Sequence, residues 1–207
     1  MRRSKGFTLI ELLAVIVILG VIMLIAIPSV TGYITSSRKN SFASTGANII
    51  DAVRKYAITA NGLPNYTGDK VVYRVVDENG KIAVKLDSGG TKSAFGAAWM
   101  PGYNYVVIEA TDNNNYNYYY AGYDASGNFI PLTLEDDLKG GVVQNVSELS
   151  DTETIDSKIK KLPTDDSDDS VWADDVDFVD NYNIAISGTA DNVRLYRLYP
   201  NNGDVLL

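Results

Sequence analysis

The pattern of apolar and polar positions changes along the chain, and each change marks a boundary. From Phe7 to Ile27 nearly every side chain is apolar, and Glu11 is the only ionisable one. As a helix this run is about 30 Å long, enough to cross a bilayer core. Beyond Pro28 and Gly32 the pattern becomes amphipathic: Phe42, Gly46, Ile49, Val53, Tyr56 and Ala60 recur at spacings of three and four, widened by Ile50 and Ala57. Arg38, Lys39, Asn40, Asp51, Arg54 and Lys55 lie off that stripe, and Asn61-Gly62-Leu63-Pro64 is a stop signal. These features predict one helix from Phe7 to about Ala60, greasy all round in its first half and buried on one face in its second. Pro28 removes a backbone donor and crowds the preceding turn, so a kink or loosening is expected at Pro28 and Gly32.

From Val71 the period becomes two. Val71–Val76, Asp77-Glu78-Asn79-Gly80 and Lys81–Leu86 predict a hairpin with Asn-Gly in its turn. Tyr103–Ala110, Tyr116–Tyr123 and Phe129–Leu132 predict further strands, with Asn183–Ser187 and Val193–Tyr199 as a last hairpin. Residues 133–180 hold 15 of the 26 acidic side chains and only four lysines. Two short helices are predicted there, over Glu135–Lys139 and Ser147–Leu162. The expected fold class is therefore α+β, a long N-terminal helix whose second half packs on an antiparallel sheet.

Composition narrows the chemistry. The 207 residues include neither Cys nor His, which excludes thiolate and imidazole zinc sites, thiol catalysis, Ser-His-Asp triads and disulfides. Formal charge is −8, which argues against phosphate-driven nucleic-acid binding, and no specific nucleic-acid site is identified. No spacing singles out a catalytic carboxylate pair, so the chain reads as a non-enzyme. Asp165, Asp166, Asp168 and Asp169, with Asp174, Asp175 and Asp177, form a candidate calcium site by donor chemistry. The stretch does not fit the EF-hand pattern, and a solvated acidic loop is the default expectation, with no cofactor. Seven of the 14 tyrosines fall between Tyr103 and Tyr123, either a stacking surface for a ligand or, the preferred reading, a core face with subunit contacts.

The N-terminus is not an ordinary secretory signal peptide, because Pro28-Ser29-Val30-Thr31-Gly32-Tyr33 offers no small-residue cleavage site. The alternative is an uncleaved signal anchor. In either case Arg2, Arg3 and Lys5 would stay cytoplasmic. The order of basic leader, Gly6, Phe7, Thr8, Leu9, then Glu11 inside an apolar helix resembles the N-terminus of type IV prepilins and pseudopilins. The resemblance covers about the first sixty residues. It implies cleavage between Gly6 and Phe7 by a prepilin peptidase and N-methylation of Phe7. It also implies a role in assembly for Glu11 opposite the freed Phe7 amine. The domains that follow are a leader over 1–6, a membrane and filament-core helix over 7–33, and an amphipathic helix with a β-sheet head over 34–207. Removing Arg2, Arg3 and Lys5 leaves 15 basic against 26 acidic side chains.

The expected function is a structural subunit of a type IV pilus or related filament. Its partners would be copies of itself or other pilins, the peptidase, an assembly ATPase and a membrane platform. Before assembly it would be a single-pass protein of the cytoplasmic membrane with its head outside; afterwards it would lie in a cell-surface filament. Alternative roles are a minor pilin or pseudopilin of a secretion or DNA-uptake system, or a tip adhesin.

Overall fold

The structure, a computed structural model, describes residues 6–59, 62–77, 79–84, 86, 90–112, 115–162, 171–172 and 193–197, the last two stretches by their backbone. It divides into two units, Met1–Ser37 and Arg38–Leu207. A single helix, α1 (Leu9–Thr59), supplies nearly all of the first unit and opens the second. The β-branched run Val15-Ile16-Val17-Ile18 is a poor helix former in water. In lipid the same run has no alternative, because each backbone polar group must be satisfied within the segment.

In the second unit α1 buries Phe42, Ala43, Gly46, Ile49, Ile50, Val53 and Ala57. That is the stripe expected from the periodicity, with Ala43 added and Tyr56 half-buried; Ala60 lies outside the described residues. The stripe packs on one face of a sheet whose strand order is β5-β4-β3-β2-β1-β7-β6. The strands are β1 (Lys70–Arg74), β2 (Tyr105–Ala110), β3 (Tyr116–Tyr123), β4 (Asn128–Leu134), β5 (Gln144–Asn145), β6 (Val171–Trp172) and β7 (Val193–Arg197). β1 to β5 form an antiparallel run, and β7 joins β1 in parallel. Pro131 falls where β4 carries an extra residue opposite β3, between the Gly122↔Ile130 and Tyr120↔Thr133 pairs, a bulge that tolerates its missing donor.

Several elements differ from expectation. The turn at Asp77–Gly80 is present: Asp77 Oδ1 accepts from the Asn79 and Lys81 amides, and Gly80 takes φ +75°. Among the described residues the second hairpin strand is reduced to isolated bridge residues, Ile82, which pairs with Val76, and Val84. Over Lys70–Arg74 both edges of β1 are taken, by β2 and β7, so residues 81–84 can reach only its continuation. β2 begins two residues later than expected, because the Asn104 side chain is occupied with the Met100 and Tyr123 carbonyls and the Tyr123 amide. The two helices expected in 133–162 are reduced to 3-10 turns over Glu135–Asp137, Gly140–Val142 and Val146–Glu148 and to α2 (Ile155–Lys158). Local caps explain the breakage. Asn145 with Glu148, Ser150 with Glu153, and Thr154 with Ser157 each bind a nearby backbone amide and restart the chain. Asn183–Ser187 lies outside the described residues.

Over β1 to β4 the sheet is buried on both faces. Against α1 lie Val71, Tyr73, Val106, Ile108, Tyr118, Tyr120 and Ile130. On the other face Val72, Tyr105, Val107, Tyr119, Phe129 and Leu132 cluster with Ile159 and Leu162. The Leu162 amide donates a hydrogen bond to the Gly102 carbonyl at 2.8 Å, which ties this residue down. Tyr118, Tyr119 and Tyr120 therefore alternate between two cores, and the core reading of the tyrosine-rich stretch holds for them.

Candidate functional site

Gly6, Phe7 and Thr8 lie outside the helix, which begins at Leu9. Thr8 stops it there. The Thr8 amide and hydroxyl both donate to Glu11 Oε2 at 2.8 Å, and the Glu11 amide donates back to Thr8 Oγ1 at 3.3 Å. This is a capping box: two backbone donors that the first helical turn leaves open are satisfied reciprocally. The acid also sits at the positive end of the helix dipole. Both bonds from Thr8 go to Oε2, so Oε1 can accept from a further donor.

The sequence reading singled out Gly6, Phe7 and Glu11 and missed Thr8. The signal was present, since Thr8-Leu9-Ile10-Glu11 has the capping-box spacing and precedes an apolar run. An acid in such a run costs roughly 2.5–3.5 kcal/mol at the bilayer centre. Glu11 stands at the helix end and already carries two hydrogen bonds, so its cost there is smaller.

Around this acid the first unit offers only apolar surface. Phe7 is 85% and Leu24 76% exposed, and Leu9, Ile10, Leu12, Leu13 and Ile16 are exposed as well. Among the described residues, α1 is the one helix long and apolar enough to cross a membrane. It runs through Pro28 and Gly32 with helical backbone throughout. The hydroxyl of Thr31 donates to the Ile27 and Pro28 carbonyls at 3.1 and 3.0 Å, and that of Thr35 to the Thr31 carbonyl at 3.0 Å. Such back-bonding hydroxyls compete with the helix's own ladder where proline has already removed a donor.

Asp165, Asp166, Asp168 and Asp169 lie outside the described residues. Among the described residues no group of three or more acidic side chains is arranged to hold a metal ion.

A family model described as the prokaryotic N-terminal methylation motif matches residues 1–27, the segment that holds the leader, Thr8 and Glu11. This match supports a place for the chain among the type IV prepilins. It is similar to the type IV narrow pilus major component PilA5 of Thermus thermophilus, 37% identical over 62 residues. That alignment covers 30% of this chain and 53% of the relative, so the chain spans about half the length of the curated protein it matches. No solved structure matches. The family-model match lies within residues 1–27.

Proposed function

We propose that this prepilin is a structural subunit of a type IV pilus or related type IV filament. In this reading a prepilin peptidase cuts between Gly6 and Phe7, and the new Phe7 amine is methylated. The subunit waits in the cytoplasmic membrane with its leader inside and its head outside. A membrane platform then delivers it into a filament with copies of itself or other pilins. Its relative's description as a major pilus component supports the assignment.

The observation that carries the proposal is the combination of the methylation motif with an apolar helix that no part of its own unit covers. Large exposed apolar surface on a folded chain marks a lipid or protein contact. A monomer in the membrane and a subunit in a filament meet that requirement in turn. Glu11 then has two partners in succession. Thr8 holds it in the monomer, and the Phe7 ammonium of a neighbouring subunit pairs with it in the filament, where an unpaired charge would be costly. Pro28 and Gly32 are the positions at which the helix would kink or open as subunits pack.

Intact-mass measurement of the surface protein tests the processing. The expected species lacks Met1–Gly6 and carries one added methyl group. A surface protein that still begins at Met1 would favour the uncleaved anchor.

A further inference from the structure

The far face of the sheet holds a buried amine against a carboxylate. Lys70 on β1 and Glu109 on β2 are direct cross-strand partners. The Lys70 side chain is 1% exposed and that of Glu109 12%, and Nζ lies 2.9 Å from Oε1. The contact is close but badly aligned for a hydrogen bond: among the described residues Lys70 Nζ has no properly directed partner. The Tyr119 hydroxyl donates to the other carboxylate oxygen, Oε2, at 2.9 Å. Burial pushes the Lys70 amine below the usual lysine range, and the Glu109 carboxylate only partly offsets this. Burial and the bond to Glu109 push the Tyr119 hydroxyl up to about 12, so it stays a proton donor.

We propose that Lys70 and Glu109 condense to an intramolecular amide that staples β1 to β2, with Tyr119 as the group that holds the carboxyl oxygen during the reaction. The ammonium gives one proton to the carboxylate, leaving a neutral amine and a carboxylic acid, an exchange that desolvation favours. The Nζ lone pair attacks Glu109 Cδ, and the electrons of the Cδ–Oε2 bond move to Oε2, which the Tyr119 O–H supports. The tetrahedral centre collapses by expelling the Oε1 hydroxyl, which takes a proton from nitrogen and leaves as water. Amine and carboxylate are consumed, one amide and one water are formed, and no oxidant or second reactant is needed. Fixing the two groups at contact on adjacent paired strands supplies the proximity that the reaction lacks in solution. The part-exposed Glu109 gives the water a way out. A chain without cysteine has no disulfide with which to secure its central strands, and this bond would fill that place.

The test uses the full chain extracted from membranes in detergent. Wild-type protein should be lighter than its processed sequence by the mass of one water. Trypsin should fail to cut after Lys70 and should release a branched peptide joining the Lys70 segment to the Glu109 segment. Lys70→Arg should show its full mass. Tyr119→Phe should show a several-fold smaller linked fraction at the same age. Wild-type protein at full mass, cut normally after Lys70 once denatured, would overturn the proposal and leave a buried ion pair; equal linkage in Tyr119→Phe would overturn the role given to Tyr119.

Discussion

The two halves of α1 are one helix with opposite surroundings. In the half before Ser37, apolar side chains such as Leu12, Ile18 and Leu24 stay exposed. In the half after it, Phe42, Ile49, Ile50 and Val53 are fully buried against the sheet. Burying a large aliphatic or aromatic side chain is worth roughly 1.5–3 kcal/mol. The second half gains this within the chain. The first half can gain it only from lipid or other molecules, so one hydrophobic helix serves as both core and interface. Glycines mark the same split. A Cβ on Gly20 would meet nothing within 4 Å, whereas one on Gly46 would stand 2.6 Å from Tyr120 Cδ1.

Removing the first half is the harshest way to break this comparison. A chain lacking residues 1–33 should be soluble in the absence of detergent and should melt cooperatively, because the surface it loses has no partner within its own unit. The full-length chain should require detergent. Aggregation of the truncated chain, measured by light scattering and calorimetry, would show that the second half does not complete its own core.

A paired substitution sharpens the contrast. Gly46→Val should destabilise the head by about 1–3 kcal/mol, the usual cost of overpacking, since the Tyr120 ring is fully buried and its hydroxyl is held by Asn104 Oδ1. Gly20→Val should leave the melting temperature of the head unchanged. Equal shifts in the two variants would contradict the division of the helix.

How much of this was legible in the sequence follows from how local each signal is. The helix, its buried stripe and the motif could be read directly, because a period of 3.6 and a six-residue leader are properties of neighbouring residues. The β3 boundaries were legible too, with Asp112–Asn115 and Asp124–Asn128 as turn signals at its ends. The partner of β1 was not. Its neighbours come from positions 105–110 and 193–197, and nothing local to Lys70–Arg74 announces a parallel strand from so far along the chain. The second covered face was hidden for a similar reason: Ile159 and Leu162 sit in an acidic, lysine-bearing stretch read only as a short helix. At the site Gly6, Phe7 and Glu11 stood out by their chemistry, while Thr8 looked like one more residue of the motif until its hydrogen bonds to Glu11 were in view.

The smallest expected effect concerns that cap. Thr8→Val keeps the shape of the side chain and removes its hydroxyl, so the helix start should lose about 1 kcal/mol. Amide exchange in detergent should quicken at Leu9–Glu11 and stay unchanged at Ile49–Val53. Unchanged exchange at the first turn would show that the capping box contributes nothing.

The central claim is that the charge of Glu11, and not only its capping bonds, drives assembly, and a pair of variants tests it. Glu11→Gln can still cap Thr8 but carries no charge, whereas Glu11→Val loses both. Membrane levels and cleavage after Gly6 are measured beside the yield of surface filaments. Both variants should reach the membrane at least as well as wild type, because a charge has left an apolar run, and both should be cleaved. Both should yield few or no filaments, because the Phe7 ammonium of the adjacent subunit would be buried without its partner. Normal filaments from Glu11→Gln would contradict the account and reduce the acid to a helix cap.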